Sequence, residues 1–79
     1  MLANLKAIAI EEEDFEAAIR YVSLILATQP DLPQERLSRA LLYVQAGNGV
    51  KAKTDLEWLF EKKPEGIHLG RLRDLYDRL

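Results

Sequence analysis

The sequence predicts an all-α fold, two helical hairpins stacked in series and closed by a fifth helix. Three observations carry that prediction. Apolar residues recur with helical spacing, and no segment alternates with the period of two that a half-buried strand shows. The segment from Gln34 to Ala46 carries two apolar stripes when turned at about 100° per residue, where a surface helix needs only one. Leu37, Ala40, Leu41 and Val44 fall on one side, and Leu42, Tyr43 and Ala46 fall roughly opposite. Finally, the chain overlays on itself when shifted by 34 residues. A helix with two apolar sides has neighbours on both, so this middle segment lies inside a stack.

The first segment, Leu2 to Glu12, places Leu2, Leu5 and Ala9 on one face and Ala3, Ala7 and Ile10 on another. Glu11-Glu12-Glu13 closes it against the helix dipole, which prefers cations there. Asp14 has the chemistry of an N-cap for a second helix, Phe15 to about Thr28, with Glu16 in its first turn. Phe15, Ala18, Ile19, Val22, Ile25 and Leu26 form its inward face, and Pro30 prevents its continuation. Asp31 with Gln34 three residues on has the form of a capping box for the middle helix, with Pro33 in its first turn. Gly47-Asn48-Gly49 supplies a stop, a cap and a turn. A fourth helix, Val50 to Lys63, turns Ala52, Leu56, Leu59 and Phe60 inward and ends at Pro64-Glu65-Gly66. The last, about Ile67 to Arg78, directs Leu69, Leu72, Leu75, Tyr76 and Leu79 toward the preceding pair.

Composition narrows the functional classes. The 79 residues are 48% hydrophobic and 30% charged, which suits one small globular domain and is too apolar for a disordered chain. The net charge of −2 draws the chain neither to nucleic acid nor to an anionic membrane. Its distribution is uneven: residues 1–35 hold two bases and seven acids, residues 36–79 nine bases and six acids. With no cysteine there is no thiol nucleophile, disulfide or Cys-type zinc site. No apolar run approaches the roughly 18 residues of a membrane span, and the N-terminus lacks a signal-peptide layout, so the expected location is cytoplasmic.

The 34-residue shift lays Glu13 on Gly47, Asp14 on Asn48, Ala18 on Ala52, Val22 on Leu56, Ile25 on Leu59 and Pro30 on Pro64. A small residue, a large apolar one four later and a terminating proline coincide, and this resembles the tetratricopeptide repeat. The resemblance implies a right-handed α-solenoid: one repeat over about 1–32, a second over about 33–66, and a capping helix over about 67–79. The pattern also departs from the family. Gly49 stands where the first repeat has Phe15, and Arg36 and Arg39 stand where apolar residues are usual. Asn4-Leu5-Lys6, Asp14-Phe15-Glu16 with Ala18, and Arg39-Ala40-Leu41-Leu42-Tyr43 before Gly47 are similar to a narrower group. That group is the C-terminal repeat region of bacterial proteins with a transglutaminase-like domain ahead of it, which would make this chain an accessory part.

Repeats of this kind curve, and the first helices of successive repeats line the concave side. The expected groove residues are Ala3, Ala7 and Ile10 with Leu37, Leu41 and Val44, and Glu11 and Gln45 at the rim. The resemblance also brings a carboxylate clamp to mind; Asn4 fits it, but Ala7, Leu37, Ser38 and Leu41 supply no cation. An apolar trough instead suits an amphipathic helix of a partner protein or peptide, unless the last helix or another domain fills it. A second surface is expected where Trp58 and Leu24, equivalent positions off the buried stripes, lie beside Tyr21 as an outward patch for homodimerisation.

No catalytic, cofactor or metal site is expected. Glu11 to Asp14 lacks a calcium loop, and His68 has no partner at ligand spacing. Ser23, Ser38, Thr28 and Thr54 have no paired base, and Gly47 and Gly49 are turn glycines without a following Lys-Ser or Lys-Thr. Arg71, Arg73 and Arg78 near Tyr76 are offset by Asp74 and Asp77 as a nucleic-acid surface. Arg39, on a partly buried side, is expected to pair with a carboxylate of a neighbouring helix, Asp55 being the candidate. Two functions remain: a module that binds a partner polypeptide or its own parent domain, and a structural unit that assembles with itself.

Overall fold

The computed structural model describes residue 8 and residues 11–79. Among them are four helices, α1 (Phe15–Thr28), α2 (Pro33–Gln45), α3 (Gly49–Lys62) and α4 (Leu69–Arg78), and no strand. Five helices were expected. The first of those, Leu2 to Glu12, lies mostly outside the described residues, although the Glu12 N–H donates to the Ile8 carbonyl at 3.0 Å, one α-helical turn back.

Two of the four helix starts follow local chemistry that repeats along the chain. Asp14 caps α1 by accepting from the Ala17 N–H at 3.2 Å, and Asn48 caps α3 by accepting from the Lys51 N–H at 3.3 Å. The residue before each cap is left-handed, Glu13 at φ 59° and Gly47 at φ 78°. At Gly47 this closes a Schellman turn: the Asn48 N–H reaches the Tyr43 carbonyl at 2.8 Å, and the Gly47 N–H reaches Val44 at 3.1 Å. Glu13 holds the same backbone with a Cβ, which disfavours that conformation. Glu13→Gly is therefore expected to raise stability by about 0.5–1 kcal/mol, read as a shift of the urea midpoint at unchanged slope.

The start of α2 differs from expectation. Its cap is Leu32, with no side-chain hydrogen bond, and not Asp31 of the anticipated capping box. Pro33 is the reason. It occupies the first helical position and forces the residue before it into an extended conformation, here φ −106° and ψ 95°, so Leu32 takes the cap position. Its side chain then packs against the core.

The core has two parts that meet at α2. Ala17, Ala18, Val22 and Leu26 of α1 bury against Leu42, while Leu56 and Leu59 of α3 and Leu72 of α4 bury against Ala40. Ala18 and Ala52, both fully buried, are the small residues of the 34-residue match, and Val22 and Leu56 beside them are buried as completely. Gly49 is one departure from the repeat pattern. A Cβ there would meet the Leu79 side chain at 3.6 Å, an ordinary contact, so a larger side chain would have to share that space with Leu79. Tyr76 ties α4 to α3 from the outside, packing edge-on to Phe60 and donating to Glu57 at 2.7 Å. No helix among the described residues is long and apolar enough to cross a membrane.

Candidate partner-binding surface

Three consecutive residues of α2 define the surface. Each step along a helix turns about 100°, so Ala40, Leu41 and Leu42 face three different ways. Ala40 faces α3 and Leu42 faces α1, and both are buried. Leu41 points between them and remains 45% exposed. It forms a ridge between two hollows. One, of about 370 Å³, lies between α2 and α4 and is lined by Leu37, Leu41, Ile67, His68, Arg71 and Leu72, with Gln34 at its edge. The other, of about 440 Å³, is lined by Glu13, Phe15, Ser38, Leu41, Leu42 and Gln45. The last helix thus walls the groove on one side and does not fill it. Of the expected groove residues, Leu37, Leu41 and Gln45 reach these hollows, whereas Val44 is half-buried and lines neither. Ala3, Ala7 and Ile10 lie outside the described residues.

On the far side of α2 an ionic junction fixes the ridge in place. Asp55, only 1% exposed, accepts from Arg39 Nε at 2.8 Å and Nη2 at 2.7 Å. Arg39 Nη1 also donates to Ser23 Oγ at 3.2 Å, so one guanidinium joins α1, α2 and α3. The hydrogen bond to Asp55 raises the Arg39 pKa from its ordinary value, against the opposing cost of burial. Arg36 is a weaker second partner of Asp55 at 3.4 Å, and its guanidinium lies 4.8 Å from the centroid of the Trp58 ring. The arginines that break the repeat pattern on α2 are thus the polar half of its packing against α3.

The tetratricopeptide repeat profile matches residues 5–77. The chain belongs to the tetratricopeptide repeat family. Such helical repeat modules typically bind proteins and are generally not catalytic. The chain is also similar to UPF0162 protein BU173 of Buchnera aphidicola, with 37% identity over 65 residues. Protein SirB1 of Salmonella typhimurium and Protein SirB1 of Salmonella typhi are each 35% identical to it over 65 residues. These matches cover 82% of this chain and 24% of each relative, so the chain spans about a quarter of the length of those proteins. No solved structure matches the chain.

Elsewhere on this tetratricopeptide repeat chain, the expected outward patch is not assembled as one exposed surface. Leu24 is 55% exposed, but Tyr21 packs against the α1 core, and Trp58 is half-buried against the α3 core with Arg36 on its face. Periodicity set Trp58 off the inward stripe of α3, yet its ring packs half-buried against that core. It gave no sign of a guanidinium arriving from another helix. His68 caps the start of α4 without a side-chain hydrogen bond. Among the described residues no group of three or more His, Cys, Asp or Glu is placed to hold a metal.

Proposed function

We propose that this chain is a protein-interaction module whose groove on α2 receives apolar side chains of a partner polypeptide, including a parent domain of its own. The observation that carries the reading is Leu41, open to solvent on a helix whose neighbours Ala40 and Leu42 are buried. An exposed leucine between two apolar hollows forgoes burial that a partner would restore, at about 25 cal/mol per Å² of apolar surface covered. The family supports a protein as the ligand. The narrower likeness to the repeat region of transglutaminase-like proteins is part of this proposal, and it makes that kind of domain the first partner to test. The relatives, about four times the length of the matched region, have room for one. Within this reading the two repeats and the capping helix divide the chain near residues 32 and 66.

The test places a photocrosslinking residue at Leu41 in the full-length protein and maps the attached peptide. Attachment to another polypeptide, or to the domain ahead of the repeats, is the expected result. Leu41→Glu should then weaken that contact at least about tenfold, roughly 1.4 kcal/mol, while thermal stability stays unchanged, since the side chain is not part of the core. A second reading, self-assembly, draws on the exposure of Leu24. It replaces the first if only a crosslinker at Leu24 reacts and joins two copies of this chain.

A further inference from the structure

Charge at the two ends of the groove narrows the occupant. The hollow beside α1 has Glu13 on its wall, and the hollow beside α4 has Arg71. Both side chains are exposed, and neither makes an ion pair among the described residues. The floor between them is apolar, with Phe15, Leu41 and Leu42 at the acidic end and Leu37, Leu41 and Leu72 at the basic end. No strand edge is present among the described residues to pair with an extended peptide, so recognition falls to side chains laid into hollows. A helix brings its own polarity, a positive N-terminus and a negative C-terminus. Only one direction sets both ends against opposite charges.

We infer that the groove receives one amphipathic helix of a partner polypeptide, lying across Leu41 with a basic first turn toward Glu13 and an acidic last turn toward Arg71. This rests on the groove reading above and adds the direction and charge pattern of the ligand. One apolar anchor enters each hollow, on either side of the Leu41 ridge. The charged ends set orientation and exclude the reversed helix, which would place like charges together at both rims.

The test uses two hydrocarbon-stapled peptides of about four turns, with identical leucine anchors, so that both are helical before binding. One carries Lys in its first turn and Glu in its last; the other reverses them. Fluorescence anisotropy should show the first binding about tenfold tighter, with amide shifts in the chain at Phe15, Leu41 and Leu72. Exchanging the rim charges with Glu13→Lys and Arg71→Glu should turn the first peptide around, so that a spin label on its first turn broadens amides near Leu72 and no longer those near Phe15, without changing the far-UV CD spectrum, because both side chains are exposed. Equal affinities, with shifts still at Leu41, would overturn the direction and leave the groove standing. Binding by neither peptide, or shifts confined to the Leu24 face, would remove both. A dimer dispersed by Leu41→Glu would make a second copy the occupant and overturn the inference.

Discussion

Arg39→Met is expected to cost about 3–5 kcal/mol of stability, because it leaves the Asp55 carboxylate buried without its main partner. Asp55 is nearly sealed, and its two short hydrogen bonds both come from Arg39. Arg36, at 3.4 Å, is too distant to take them over without moving away from Trp58 and the Pro30 carbonyl. For a domain of this size the total stability is on the order of 4–12 kcal/mol, so the loss is a large share of it. Arg39→Lys should recover only part, since an ammonium cannot reproduce the two-pronged geometry. Asp55→Leu added to Arg39→Met should recover more, because removing both members leaves no bare carboxylate. Urea unfolding followed by CD measures all three. A loss below about 1 kcal/mol for Arg39→Met would show that water or Arg36 satisfies Asp55, and that the junction does not hold the three helices together.

That junction also marks where sequence reasoning was strong and where it stopped. Repetition was legible because helix capping is local. Asp14 and Asn48 lie 34 residues apart and make the same bond to the third residue on, each after a left-handed residue. The pairing of Arg39 with Asp55 was also within reach, since Asp55 lies between Ala52 and Leu56 on the inward arc of α3, where an acid must find a cation. Arg36 was not, because its roles over Trp58 and beside Asp55 depend on how far α2 stands from α3, which spacing along the chain does not encode. The Asp31 cap failed for a different reason: proline geometry outranked side-chain chemistry at the next position. For the groove, periodicity grouped Leu41 with Ala40, although they differ by about 100°. Which of two adjacent stripe residues is covered depends on where the neighbouring axes lie, and a pattern one helix wide does not contain that.

Leu56→Ala should carry the second large effect, about 2–5 kcal/mol, and its consequences should spread differently from those of Val22→Ala. The two side chains are equivalent in the repeat and equally sealed. Their helices are not equivalent. Among the described elements α1 packs against α2 alone, whereas α3 packs against both α2 and α4. Stacked repeats behave as nearest-neighbour chains, so a defect propagates only through the interfaces its helix makes. A cavity at Leu56 weakens the contacts of α3 on both sides, and amide exchange in α2, α3 and α4 should accelerate together. At Val22 the loss of two methyl groups, about 2 kcal/mol with the cavity included, should free α1 while α3 and α4 keep their protection. Native-state hydrogen exchange separates these outcomes, because it reports each helix. If Val22→Ala instead accelerates all four helices equally, the chain unfolds as one block. The exposed ridge at Leu41 would then depend on α1 as much as on α3, and a partner gripping the groove would stabilise the whole domain by its full binding free energy.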